Sequence, residues 1–406
     1  MVPRKFAAYN LKKFCRNDFV IQLKFPVDPK NPSTSPGTPD QVRSTDASEP
    51  AVPELSSDLP RAPNIWALES YRAGETTQIL GLAEAVARHH GVDFDTFRCA
   101  FNRLSGPFSV LQRTGLRGVA STSPRAFGPP WPDLLISAGV RNEPVARWIR
   151  QMSEGRTRIV FVGRVWAPPA EFDLIVVTPQ YRFPAGPNVL ENDTTVHRVH
   201  AARLAAERGR WTARFATLAQ PRILALVGGD SGPFALRTGA ANTLAAAMLT
   251  RQRQSGGSLI VSTSSRTHPE AIAALDDALP DALRYHYRAG DTQNPYFGML
   301  GWADEIVVTS DSIAMISEAL ATTKPVALFD LQRGRDHTLK SRSYSLLMRV
   351  GPEVLSRDIG IAHERLLANG RIGTFGDAPV TNQANDPTMA RTLGRICQLL
   401  DSAPTS

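Results

Sequence analysis

The sequence lacks the residues that would commit it to several familiar chemistries. Its 406 residues include three cysteines, Cys15, Cys99 and Cys397, which lie far apart and in no C-x-x-C or Cys/His ligand spacing. Neither a disulfide framework nor a zinc site is expected, and a reducing compartment is the default. No apolar run approaches the roughly 20 residues needed to span a bilayer, so with 42% hydrophobic residues the chain reads as a soluble, cytoplasmic protein. There is no G-x-G-x-x-G and no P-loop consensus, which leaves neither a nicotinamide cofactor nor ATP specifically indicated. A G-x-S-x-G elbow, an H-E-x-x-H pair and a D-x-D pair following a strand are missing too. The eight histidines are dispersed: His89 and His90 end one predicted helix, His197 and His200 begin another, and all are read as structural or exposed. No cofactor and no metal ion is expected on these grounds, and the absence of a short-period repeat argues against a solenoid.

A block of one charge is lacking as well. The formal net charge of +8 comes mainly from scattered arginines, which disfavours nucleic acid as a partner and leaves anionic lipid head groups or nucleotide phosphates as users of the charge. Residues 1 to 25 hold six Lys/Arg against one acid, and the stretch from Pro26 to Pro60 is rich in Pro, Ser and Thr and net acidic. That second stretch is expected to be disordered. The basic start reads as a targeting segment, a membrane-surface anchor, or the product of a start codon placed too far upstream. Residues 1–60 are therefore set apart from the fold.

What is present, from "NIWALES" onward, is an alternation of apolar runs with helical patterns, the signature of α/β architecture with parallel sheets. Strands are predicted at Ile65–Leu68, Val92–Phe97, Leu134–Ser137, Ile159–Val162 and Leu174–Val177. Helices are predicted over "TTQILGLAEAVARHH" and "EPVARWIRQMSEG", and "TVHRVHAARLAAERGRWTARFATLAQP" reads as one helix ended by Pro221. A second series follows, with strands in "RILALVGGD", "SLIVSTSS", "ALRYHY", "EIVVTSD" and "PVALFDL" and helices between them. The expected fold is two Rossmann-like, doubly wound domains facing a cleft, 61–220 and 221–406, with the last helical pattern packing back across one of them.

Ligands of such folds bind at the carboxyl ends of the strands, which directs attention to three loops of the second half. In "LVGGDSGPF" a strand opens through Gly228, Gly229, Asp230, Ser231 and Gly232, where glycines permit positive φ and close approach of a phosphate. In "STSSRTHPE" Arg266 offers a planar fork for phosphate or carboxylate, and Thr267 to Glu270 has the form of a capping box. In "TSDSIAMISE" the small polar residues Ser310, Asp311 and Ser312 lead into a helix whose N-terminus attracts anions, with Ile313, Ile316 and Leu320 on its buried face and Glu318 one turn on. The first half answers with "ESYRAGETTQ", carrying Glu69, Arg72 and Gly74, and with "ISAGVRNEP", carrying Gly139 and Arg141. Arg72 and Asp230 are the candidate catalytic residues; Arg182 and the aromatics Tyr296, Phe297 and Trp302 are read as structural.

These segments carry a resemblance. "RAGETTQILGLAEAV", "WPDLLISAG", "GPNVL", "GGDSG", "TSSRT" and above all "NPYFGMLGWADEIVVTSDSIAMISEA" resemble the mitochondrial fission "elongated mitochondria" family and its bacterial relatives, from Asn64 to about Asp330. In its second half that family is similar to GT-B glycosyltransferases such as MurG. The resemblance implies that Gly228, Gly229, Ser231 and Gly232 match a nucleotide-sugar loop, and that Asp311, Ser312, Met315 and Glu318 match a second one, with Glu318 accepting the ribose hydroxyls. Thr323 departs from the family's usual Gly before "KPV", "GVRNE" replaces the commoner Gly-Arg-Arg, and Asp230 is not the usual residue of its loop. The resemblance thus implies a metal-independent glycosyltransferase that uses a nucleotide-sugar as donor substrate and a lipid-linked or surface-glycan acceptor, with peripheral membrane association. Two alternatives stay open, a non-catalytic fission adaptor and a nucleotide-sugar epimerase.

Overall fold

A computed structural model describes residues 62–102, 114–121, 123, 127–331, 343–344, 346, 348, 350, 357–377 and 386–402. The expectations for residues 1–60 lie outside these. The first half consists of β1 (Ile65–Glu69), α1 (Ala73–His90), β2 (Phe94–Arg98), β3 (Leu134–Ala138), α2 (Glu143–Met152), β4 (Arg158–Val162), β5 (Leu174–Val177) and β6 (Val189–Glu191). Its six strands run parallel in the order β2-β1-β3-β4-β5-β6. Alternate side chains of β1 serve opposite faces: Ile65 and Ala67 pack with α1, while Trp66 and Leu68 pack with Val145 and Ile149 of α2. Burial on both faces explains why these strands read as nearly continuous apolar runs.

The second half begins with α3 (Ala201–Arg210) and the short α4 (Thr212–Phe215), then β7 (Arg222–Val227), α5 (Thr238–Ser255), β8 (Ser258–Thr263), α6 (Pro269–Ala278) and β9 (Leu283–Tyr285). It continues through α7 (Tyr296–Trp302), β10 (Glu305–Thr309), α8 (Ile313–Leu320) and β11 (Val326–Phe329) to the helix Ile359–Ala368, β12 (Gly373–Thr374) and a last helix, Thr388–Asp401. The strands are again parallel, in the order β12-β11-β10-β7-β8-β9. Counted from β7, that is the order 3-2-1-4-5-6 of doubly wound folds, with its reversal between β7 and β10. The two doubly wound sheets expected from the alternation are present.

The expected single helix over Thr195–Pro221 is not. Thr194 to His197 are buried in the crossing between the halves, and α3 starts only after His200, which holds extended φ/ψ of −153° and 158° and accepts the Arg203 N–H at Nδ1 (3.3 Å). Apolar periodicity cannot tell a buried extended segment from the first turns of a helix. Although α3 follows β6 in the chain, it packs on α7, where Gly298 and Gly301 admit Trp211 and Arg208. The last helix makes the reverse journey, laying Ile396, Leu393 and Met389 against the α1 side of the first sheet. Polar groups fix the crossing: the Thr195 N–H donates to Ser317 Oγ of α8 (2.9 Å), and Asn192 donates to Thr392 Oγ1 of the last helix (3.0 Å).

Thr323, in the turn after α8, has φ 61°. A β-branched residue is strained there and glycine is not. Replacement of Thr323 by Gly is expected to stabilise the protein by about 0.5 to 1 kcal/mol in urea unfolding, the left-handed penalty less the added chain entropy. Among the described residues no helix is long and apolar enough to cross a membrane.

Candidate functional site

Each sheet reverses its winding once, between β1 and β3 in the first half and between β7 and β10 in the second. The loops at both reversals open into one cleft of about 730 Å³. Such crevices outside the strand ends are where open α/β sheets bind ligands.

On the second-half wall the organising group is Asp311, whose side chain is fully buried. Its carboxylate accepts the Gly229 N–H (2.9 Å) and the Thr309 hydroxyl (2.7 Å) and pairs with Arg266 Nη2 (2.8 Å). Thr309 Oγ1 in turn accepts the Gly228 N–H at 2.8 Å. Both glycine N–H groups are thus consumed inside the protein. The glycines serve a close approach, though not by a phosphate: a Cβ on Gly228 would stand 2.1 Å from the Asp311 carboxylate, and one on Gly229 would stand 2.0 Å from the Arg266 carbonyl oxygen. Thr267 is no helix cap either. It is buried and donates to the Val227 and Gly228 carbonyls, while His268 caps α6.

The residues expected from sequence divide accordingly. Asp230, Ser231, Gly232, Arg266, Asp311, Ser312 and, from the opposite wall, Arg72 line the cleft, whereas Gly228, Gly229, Ser310, Met315 and Glu318 do not reach it. Ser310 Oγ accepts the Leu331 N–H (3.1 Å), and Met315 packs on the second-half core. Glu318 is buried on the far side of α8, where its carboxylate accepts the Tyr296 hydroxyl at 2.5 Å. Burial pushes the Glu318 carboxyl up to about 7, against the pull of the Tyr296 hydrogen bond and the Arg198 charge. Burial and then the Glu318 charge raise Tyr296 well above its ordinary value. Asp230 is clamped by both terminal nitrogens of Arg237 at 2.6 Å, and the same arginine pairs with Glu270 at 2.9 Å.

Among the described residues four arginines line the cleft, Arg72 and Arg164 on the first-half wall and Arg266 and Arg357 on the second. Arg357 donates to Ser231 Oγ at 2.8 Å. Arg164 donates to the Tyr181 carbonyl, and burial lowers its pKa. Arg72 pairs with Glu75 at 3.3 Å, and Ser70 Oγ donates to the other Glu75 oxygen at 2.5 Å. α8 also begins here: Ser312, Ile313 and Ala314 line the wall, and Ser312 Oγ caps the Met315 N–H at 3.5 Å. The N–H groups of a first turn have no partner within their helix and carry the positive dipole end.

Sequence reading passed over Arg164, Tyr344 and Arg357, which also line the cleft. Arg164 follows β4 and could have been found by that position; no described strand directly precedes Tyr344 or Arg357. Arg182, by contrast, pairs with Asp358 at 2.7 Å and ties the halves together.

A family model described as mitochondrial fission ELM1 matches residues 73–348, well over half of the sequence. The chain belongs to that family. A curated relative, mitochondrial fission protein ELM1 of Arabidopsis thaliana, is 24% identical over 255 residues, covering 57% of this chain and 58% of that protein. This chain thus spans less than two thirds of the relative's length. Among solved structures, a UDP-GlcNAc 2-epimerase from Neisseria meningitidis bound to UDP-GlcNAc is similar over 82% of this chain and 99% of its own, at 10% identity and a TM-score of 0.42. MurG of Acinetobacter baumannii is similar over 83% and 99%, at 10% identity and a TM-score of 0.37. Likenesses this distant carry nothing about ligand or reaction.

Proposed function

We propose that the cleft binds a nucleoside-diphosphate sugar and that the protein transfers its glycosyl group to a lipid-linked or surface-glycan acceptor without a metal ion. The observation that carries this reading is the pair of sheet reversals opening into one cleft whose walls bring four arginines and the N-terminus of α8 together. In this reading the diphosphate lies against Ser231, Gly232, Arg266, Arg357 and the first turn of α8, and the acceptor enters from the Arg72 side. Arginines and a helix dipole aimed at a departing diphosphate stabilise the charge that develops as the sugar–phosphate bond breaks. The base that takes the acceptor hydroxyl proton is assigned to Glu75, which stands on the acceptor-side wall with Arg72 and accepts from Ser70, whereas Asp311 and Asp230 stand on the donor-side wall.

Titration calorimetry with UDP-, GDP-, CDP- and dTDP-sugars is expected to find one class that binds with a submillimolar Kd. Loss of a charge-assisted contact, on the order of 1.5 to 3 kcal/mol, weakens binding tenfold or more, and Arg357→Ala is expected to do so without unfolding the protein. Absence of binding to every member at millimolar concentration would remove the donor site. The family's tie to fission supports a second reading, a non-catalytic adaptor on the same scaffold; donor binding without transfer to any membrane extract would favour it. Conversion of the donor without an acceptor would instead indicate epimerisation.

A further inference from the structure

The last helix returns from the far end of the chain to lie beside α1, and where the two meet three metal-ligating side chains converge. His89 and His90 end α1, and Cys397 faces them; one ligand atom from each lies within 4.8 Å of the others. Cys397 Sγ is 3.9 Å from His90 Nε2. The two imidazole centroids are 5.0 Å apart with planes at 86°, an edge-on arrangement rather than a stack. Nothing along the chain announces this cluster, because 307 residues separate His90 from Cys397.

We propose that His89, His90 and Cys397 form a three-ligand site for a divalent transition metal of the zinc type, with a water in the fourth position. A tetrahedral zinc with sulfur at about 2.3 Å and nitrogens at about 2.0 to 2.1 Å spaces its ligands roughly 3.3 to 3.6 Å apart. The three side chains therefore have to close by about 1.5 Å at most. His89 is exposed and the other two are half-buried, so the adjustment is a turn of side chains and disturbs no core packing. One thiolate and two imidazoles select zinc, cobalt or nickel over magnesium and calcium, which take oxygen ligands. One negative feature favours a cation at this spot, the carbonyl end of α1, closed by Gly91 at φ 66°. The site is separate from the cleft. Its consequence is mechanical, since the metal would fasten the returning helix to α1, whose other end supplies Ala73, Gly74 and Glu75 to the cleft wall.

The test uses the full chain, purified under reducing conditions and stripped with a chelator. One equivalent of Co2+ is expected to give a thiolate-to-metal charge-transfer band with tetrahedral visible absorption, and Zn2+ to displace it with a micromolar or lower Kd and raise the melting midpoint. Cys397→Ser and His90→Ala are expected to abolish the band and the shift while their circular dichroism stays native. Cys15→Ser is expected to keep both. Absence of a charge-transfer band, or a band that survives Cys397→Ser, would overturn the site. Neither result bears on nucleotide-sugar binding, which is measured separately.

Discussion

Substitution of Asp311 by Ala is expected to cost on the order of 3 kcal/mol of stability, read as a lower urea midpoint at unchanged m-value. The carboxylate is fully buried and joins three donors, the Gly229 N–H, the Thr309 hydroxyl and the Arg266 guanidinium. Removing one member of a buried charged set costs more than the set contributes, because its partners keep their desolvation and lose their compensation. Arg266 remains partly solvated and recovers some hydration, which places the expected loss toward the lower end of what buried pairs show. Asn at this position can accept from one donor and is expected to cost about half as much. Both variants are expected to weaken nucleotide-sugar binding further than Arg357→Ala, since they release Arg266 and the loop behind Asp230 together. A loss under about 1 kcal/mol for Asp311→Ala would show that the loop between β7 and α5 holds its shape without this carboxylate.

The second large effect is a pH dependence set by Glu318. Its carboxyl is raised from 4.5 to about 7 by burial, so between these values the folded state keeps a proton that the unfolded state has lost. Stability attributable to this group is full below pH 4.5 and falls as pH rises through about 7. At about 1.4 kcal/mol per unit the loss is on the order of 3 kcal/mol. Glu318→Gln removes the titration and keeps an acceptor for the Tyr296 hydroxyl, so it is expected to match the parent near pH 4.5 and to exceed its stability by up to that amount at pH 8.5. Superimposable pH profiles of parent and variant would refute the assignment. The same variant also judges the ribose role implied by the family resemblance. Glu318 does not reach the cleft, so unchanged nucleotide-sugar affinity is expected, and a tenfold loss would restore Glu318 as a ligand.

Most strands of both halves were legible because they are buried on two faces. Val160, Ile175, Leu224 and Val307 sit in continuous apolar runs that no exposed segment would carry, and period and length then separate them from the helices. The anion-suited ends of β7, β8 and β10 were legible for a related reason. In parallel sheets the strand ends carry the loops, so chain order alone aligns Asp230, Arg266 and Ser312 on one edge.

What each side chain does at that edge was decided only in three dimensions. Gly228 and Gly229 look like a phosphate loop, yet tertiary packing spends their N–H groups on Thr309 and Asp311, 81 and 82 residues away. Glu318 lies one helical turn past the cleft residue Ala314, yet its carboxylate is buried against the Tyr296 hydroxyl and does not reach the cleft. The crossing of α3 and the last helix between the halves, the arrival of Arg357 at Ser231 across 126 residues, and the meeting of His90 with Cys397 across 307 depend on contacts between residues far apart in sequence. Local propensity and hydrophobic period are properties of short windows, whereas the charge, burial and partners of a polar group depend on whatever the whole chain brings within about 4 Å of it.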